Sequence, residues 1–420
     1  MTAQASQRSS VPGRLPLLMG PGLLVAVGYM DPGNWATGIA AGAQFGYKLL
    51  FMVVLSSLAA MLLQTLALRL GVVTGQDLAQ TCRLRYPRPL TFAHWAMAEI
   101  AIIATDIAEV LGAALAFKLL FNLPLSIGIL LTAISTLIIL GVKGAANGRV
   151  QRIVLTLVTI IVMCLAAELA LITLDSNKLL QGFVPSLATL AEPGALFIAV
   201  GIIGATVMPH NLYLHSALAR STGRLNNNTQ VTQSLRRGRH DTIRALSIAA
   251  AVQVAILLVA AAVFHESGHT EIGGIEQAHQ LLMPLTGGAL SAVLFALALL
   301  ASGQSATLTG TLAGQVVLEG FLQLRISLWK QRIATRLLAI VPALWAILWL
   351  GDRAVGDLLV FSQVVLSIQL PFAVYPLIRF TRDKTLMGDF AISRPVALMA
   401  WLIFLLIGAA NLWLVASIIL

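Results

Sequence analysis

The chain has 420 residues, of which 58% are hydrophobic and 10% charged, with a mean hydropathy of +0.89. Soluble domains carry about 25% charged residues, so the composition excludes a soluble enzyme or binding module and predicts an all-α polytopic membrane protein. The formal net charge of +10 would suit a nucleic-acid partner, but its placement along the chain, taken up below, excludes that reading.

In chain order, residues 1–13 are polar and read as a cytoplasmic tail. The apolar run that starts near Leu15 continues into Asp31 without a small-residue cleavage site, so no cleavable signal is predicted. Residues 14–420 read as one membrane domain. Crossing a bilayer takes about 20 mostly apolar residues. Eleven windows qualify, at 14–43 (interrupted), 47–72, 92–120, 125–142, 152–174, 193–219 (interrupted), 242–265, 283–315, 333–351, 356–379 and 395–419. With the N-terminus placed inside, all but four of the 27 lysines and arginines fall on the inner side. The exceptions are Lys48, Lys118, Lys178 and Arg353. One missed span would invert every later loop and spoil this asymmetry, so the positive-inside bias supports both the count and a C-terminus on the outer side. The basic charge is topology. Asn227-Asn228-Thr229 matches a glycosylation pattern but lies in the most basic inner loop, and Cys82 and Cys164 are too isolated for a disulfide framework or a thiolate metal site.

Two windows are interrupted by polar residues around a proline. The first reads Asp31-Pro32-Gly33-Asn34 and the sixth Met208-Pro209-His210-Asn211. Proline removes a helical donor, and a charge in hydrocarbon costs at least a few kcal/mol. Five spans separate the interruptions, so a second five-span unit must enter the membrane from the opposite side. That is the pattern of inverted repeats whose broken helices meet at a substrate site near the midplane. The repeats are expected at about 14–175 and 190–380, with an extra helix at 395–419. Asp31 and Asn34 offer hard oxygen ligands, which alone would suit Mg²⁺, Ca²⁺ or Mn²⁺. The Met208 thioether gives little to the hard ions and shifts the expectation to Mn²⁺, Fe²⁺ and heavier divalent metals.

These two motifs, with the stretch ASGQSATLTGTLAGQVVLEGF at 301–321, resemble the Nramp family of divalent-metal transporters, and the likeness covers the chain from about residue 14 onward. The resemblance implies a LeuT-like fold with helices 1 and 6 broken. It implies metal ligands at Asp31, Asn34, the carbonyl of Ala205 and the sulfur of Met208, with Gln363 approaching the metal in some conformations. It further implies bacterial import of Mn²⁺- or Fe²⁺-class ions with protons by alternating access, across the inner (plasma) membrane. No cofactor and no obligate protein partner are expected; the partners are metal ion, protons and lipid.

For the proton route, the third window carries Glu99, Asp106 and Glu109. At 100° per residue Asp106 lies within about 20° of Glu99 and Glu109 within about 80°, so the three acids share a helix face. Intramembrane acids of this kind mark ion or proton paths. His210 stands beside the proposed site and titrates in a useful range; His215 suits packing equally well. The family resemblance extends the route to Arg332 and Arg336, though Gln331 stands where many members have a second adjacent arginine. Glu168 is left without a role. His265, His269 and His279, with Glu266, Glu271 and Glu276, read as a solvated outer loop rather than a metal-collecting patch.

Three rival readings carry distinct requirements. A sodium-coupled amino-acid or amine carrier would need half-helix N-termini free for a carboxylate, and a Mg²⁺ carrier would have no use for the thioether. A channel needs no inverted repeat. A membrane-embedded enzyme would need a histidine-rich metal box, a nucleophile with its base, or a nucleotide loop, and GQSATLTG lacks the lysine of a P-loop.

Overall fold

The computed structural model describes residues 20–141, 149–220, 227–272, 274–286, 288–323, 328–351 and 355–419. The predicted tail and the basic residues Lys143, Arg224, Arg325 and Arg353 lie outside them. The side chains of Arg332 and Arg336 also lie outside the described set, although their helix is within it.

Helix α1 (Pro21–Gly28) ends in a turn at Tyr29 and Met30, and α2 (Pro32–Phe45) starts afresh behind it. Asp31 is the N-cap of α2, its Oδ1 accepting the Asn34 backbone N–H at 2.8 Å. Pro32 occupies the first helical position, where a missing N–H costs nothing, so this proline opens a new helix instead of kinking an old one. α3 (Leu50–Thr74) closes on Gly75, whose φ of +68° is the left-handed geometry that glycine tolerates. Asp77 and Gln80 form a reciprocal capping box on α4 (Leu78–Arg85). α5 (Arg88–Phe121), α6 (Leu125–Gly141) and α7 (Arg149–Leu171) complete the first half.

Two short helices, α8 (Ser176–Gly182) and α9 (Leu187–Leu190), lead to the second broken pair, α10 (Ala195–Thr206) and α11 (Pro209–Leu218). Pro209 again sits at the first turn of the second piece. Then come α12 (Asn228–Ala260), which continues as a π-helical turn over Ala261–His265, and α13 (Ile275–Thr286). α14 (Ala289–Leu322), α15 (Leu328–Leu350), α16 (Val355–Arg382), α17 (Lys384–Met387) and α18 (Arg394–Ile419) finish the chain. No strand occurs among the described residues.

Every predicted window coincides with a helix or broken pair. Eight helices of the described residues are long and apolar enough to cross a membrane. Two shorter apolar helices (125–138 and 340–349) and the α1–α2 pair account for the remaining three windows. The edges differ for physical reasons. α12 begins fourteen residues before its window, because a polar extension capped by Asn227 (Oδ1 to Thr229 N, 3.0 Å) carries it beyond the apolar stretch. The eighth window ran back to 283, but Met283 and Leu285 belong to the separate α13.

Spans at equivalent places in the two halves pack on each other: the two broken spans through α2 and α10, α3 on α12, and α5 on α14. Trp35, Tyr29 and Tyr213 are fully enclosed where they meet. Large apolar side chains such as Ile138, Leu348, Leu402 and Leu412 point outward, as lipid-facing surface requires. α18, outside the two halves, packs on both α10 and α16. Ion pairs tie the loops at each end. On the predicted outer face Lys48 meets Glu192 at 2.8 Å, Lys118 meets Glu276 at 2.8 Å and Lys178 meets Glu266 at 2.9 Å. On the other face Arg220 meets the enclosed Asp77 at 3.1 Å.

Candidate metal centre

Pro209 has no N–H, so the carbonyl four residues earlier, that of Ala205, loses its helical donor. The Asn34 amide supplies one, with Nδ2 at 3.1 Å from the Ala205 oxygen. The same Nδ2 lies 2.8 Å from Asp31 Oδ1. The two breaks are thus joined through one side chain, and Asp31, Asn34 and Ala205 form a single buried knot. Asp31 Oδ1 is saturated by two donors from Asn34, whereas Oδ2 is enclosed without a protein partner. An aspartate used only as a cap would not keep half of its carboxylate bare inside a membrane.

Gln363 of α16 reaches the same place. Its amide nitrogen rests so closely on Gly33, between Asp31 and Asn34, that a Cβ there would collide with it. That nitrogen donates to Ser362 Oγ at 2.9 Å, and Oε1 has no protein partner. Met208 is fully buried. Its sulfur accepts from Asn211 Nδ2 at 3.4 Å, and its side chain lies among Ala101, Ala104 and Leu366. The polar groups around the two breaks are thus one carboxylate, two amide side chains, the Ala205 carbonyl and a thioether. Among the described residues no group of three or more His, Cys, Asp or Glu side chains could hold a metal ion.

His210, two residues after Met208, places Nδ1 3.4 Å from the Thr105 hydroxyl on α5, next to Asp106. Asp106 and Glu109 converge over Gly310 of α14: a Cβ there would stand 2.9 Å from Glu109 Oε1 and 3.1 Å from Asp106 Oδ1. Both acids are buried, while Glu99, two turns earlier, is half-buried. The outer-loop histidines form no cluster. His265 Nδ1 lies 2.9 Å from the Ala43 carbonyl, His279 packs near Phe295, and Glu266 and Glu276 are taken by lysines. His215 sits in a satisfied chain with Gln64 Oε1 (2.9 Å) and Thr242 Oγ1 (3.4 Å), the environment of a structural histidine.

The residues that sequence reasoning missed are the ones that hold the breaks open. Gln253 of α12 donates to the Tyr29 carbonyl at 3.1 Å and to Asn34 Oδ1, and accepts from Thr206 Oγ1 at 3.2 Å. Ser302 of α14 donates to the Met30 carbonyl. Gly28 admits Asn211 against the end of α1, and Gly204 admits the Gln363 carbonyl. A glutamine and a serine inside otherwise apolar spans were the available signal.

A buried polar knot between two broken helices, inside a multi-pass helical bundle, defines a secondary transporter of the broken-helix type. A family model described as natural resistance-associated macrophage protein-like (Nramp) matches residues 22–417, and the chain belongs to that family. It is 55% identical over 401 residues to the divalent metal cation transporter MntH 1 of Pseudomonas aeruginosa, covering 96% of this chain and 91% of the relative. Among solved structures it resembles the Eremococcus coleocola manganese transporter, at 39% identity and a TM-score of 0.86, over 96% of this chain and 86% of that one. Mhp1, a nucleobase-cation-symport-1 family transporter, is 16% identical with a TM-score of 0.62, over 90% of this chain and 80% of its own, a likeness of fold alone.

Proposed function

We propose that the protein imports Mn²⁺- or Fe²⁺-class divalent ions together with protons by alternating access. The observation that carries the reading is the bare Asp31 Oδ2 beside the Pro209-freed Ala205 carbonyl, in a knot completed by Asn34 and Gln363. In this proposal Asp31 Oδ2, Asn34 Oδ1, the Ala205 carbonyl and the Met208 sulfur bind the metal, and Gln363 Oε1 joins them. Asn34 exchanges its present hydrogen bonds for the ion. The C-terminal ends of α1 and α10, where helix dipoles are negative, add to the attraction for a cation. The names of the Pseudomonas and Eremococcus relatives support the substrate class.

Protons travel from the Asp31 region through His210, Asp106 and Glu109, with Glu99 further along α5 and Arg332 and Arg336 of α15 at the exit. The contact of His210 with Thr105 and the convergence of Asp106 with Glu109 support the first part of that route. The protein lies in a bacterial inner (plasma) membrane with its N-terminus in the cytoplasm and its C-terminus outside, which the lysine and arginine bias supports.

The test is Mn²⁺ uptake into proteoliposomes with acid outside and a large excess of Mg²⁺ and Ca²⁺, comparing the intact protein with Met208→Ala. The expected result is proton-driven uptake that ignores the hard ions in the intact protein and is competed by them in the variant. Full competition by Mg²⁺ in the intact protein would overturn the thioether reading, and uptake indifferent to the pH difference would overturn proton coupling.

A further inference from the structure

Pro371 lies inside α16 and has no N–H, so the carbonyl of Ser367, four residues earlier, is left without its helical donor. A bare carbonyl in the membrane interior costs several kcal/mol. Asn411 of α18 meets the deficit: Nδ2 donates to the Ser367 carbonyl at 2.7 Å, and Oδ1 accepts from Ser367 Oγ at 2.9 Å. Both residues are buried, and the amide clasps Ser367 at two points.

The clasp stands one helical turn from Gln363. The Gln363 carbonyl and the Ser367 backbone N–H are the atoms that press on Gly204, next to Ala205. The Gln363 side chain rests on Gly33. A small apolar cluster of Val200, Val364 and Leu414 joins α10, α16 and α18 beside it. α18, which belongs to neither half, therefore grips α16 at the carbonyl that Pro371 deprives of its donor and leans on the half-helix that ends at the centre.

We propose that Asn411 is a positioning residue: by supplying the donor that Pro371 removes, it fixes the backbone of span ten at Ser367 and so sets where Gln363 stands at the metal centre. This rests on the reading of Gln363 as a metal ligand. Loss of the clasp frees the Ser367 carbonyl to seek another donor, and Gln363 shifts with it. Because the fault originates in proline, restoring a backbone N–H at position 371 makes the clasp unnecessary.

The experiment measures Mn²⁺ binding by calorimetry on the purified full chain, and KM and maximal rate of Mn²⁺ uptake in proteoliposomes. The variants are Asn411→Leu, Pro371→Ala, their combination, Gln363→Ala, and Asn411→Leu in the Gln363→Ala background. Asn411→Leu should weaken Mn²⁺ binding about tenfold, the lower end of what outer-shell partners of metal ligands cost, and raise KM more than it lowers the rate. The combination with Pro371→Ala should recover most of that loss. In the Gln363→Ala background Asn411→Leu should change binding less than about twofold. Equal loss in both backgrounds, or no rescue by Pro371→Ala, would overturn the positioning role. Gln363→Ala alone tests the ligand reading separately: wild-type affinity there sinks that reading and the proposal with it. Should Asn411→Leu fail to fold, Asn411→Ser, too short to reach Ser367 with both groups, is expected to show the same loss and the same rescue.

Discussion

Replacing Asp31 by asparagine separates its two jobs. Oδ1 receives both the backbone N–H and the Nδ2 of Asn34, at 2.8 Å each, and caps α2; Oδ2 is buried with no protein partner. Asparagine caps helices as well as aspartate does, whereas alanine loses about 0.5–2 kcal/mol. The Asp31→Asn variant should therefore unfold near the wild-type temperature and Asp31→Ala below it. To keep the cap, the one oxygen of the introduced amide must stay in the Oδ1 position, which forces its NH₂ into the place of Oδ2. A donor then faces the cation where an anionic oxygen stood. Removing one partner of a buried charged interaction costs about 2–5 kcal/mol, and at 1.4 kcal/mol per decade this is a loss of about 30- to 4,000-fold in Mn²⁺ affinity. Thermal unfolding and calorimetric Mn²⁺ titration of the purified variants make the measurement. Mn²⁺ affinity of Asp31→Asn within threefold of the wild type would refute the assignment of Oδ2 as a ligand.

Gly204→Ala would set a Cβ against the Gln363 carbonyl and 2.8 Å from the Ser367 nitrogen, both backbone atoms that cannot swing aside. About 1–3 kcal/mol of overpacking should appear as a lower unfolding temperature together with weakened Mn²⁺ binding, while Gly201→Ala, whose nearest neighbour is a methyl of Thr37 at 3.2 Å, should be mild by the same assays. Gln253→Leu strands the Thr206 hydroxyl, the Tyr29 carbonyl and the Asn34 oxygen, so an unfolding-temperature loss equivalent to about 1–3 kcal/mol per stranded group is expected. Burial pushes the Asp77 carboxyl above its ordinary 3.8, with the Gln80 amide and Arg220 pulling it part of the way back. The folded state thus binds the proton more tightly than the unfolded state, and this contribution to stability is full at low pH and lost as pH rises from 3.8 through the folded value. Asp77→Asn, which keeps the cap and cannot ionise, should flatten that part of the dependence of unfolding temperature on pH.

Much of the architecture was legible because membrane spans are long, apolar and bounded by charge, and because a proline with polar neighbours stands out inside one. Asp31, Asn34 and Met208 could be singled out on those grounds alone. Ala205 could not, since a backbone carbonyl has no residue signature. Pro209, four residues on, takes the helical donor from the Ala205 oxygen, and only the structure shows that Asn34 supplies another. Gln253, Ser302 and Asn411 escaped because a single amide or hydroxyl in an apolar helix gives no hint of which distant carbonyl it will meet. Those partners are 44 to 272 residues away along the chain. The start of α12 escaped for the opposite reason, its first turns being too polar for a hydropathy window to register.

The ion pairs that tie the loops differ in how they answer to salt. Lys48–Glu192 and Lys178–Glu266 are exposed, with about half of each lysine side chain in solvent, and exposed pairs are readily screened at physiological ionic strength, where the Debye length is about 8 Å. Arg220–Asp77 has its carboxylate almost wholly enclosed, at 2% exposure, and an enclosed charge is screened much less. Raising ionic strength therefore loosens Lys48–Glu192 and Lys178–Glu266 and leaves the enclosed Arg220–Asp77 fastening in place.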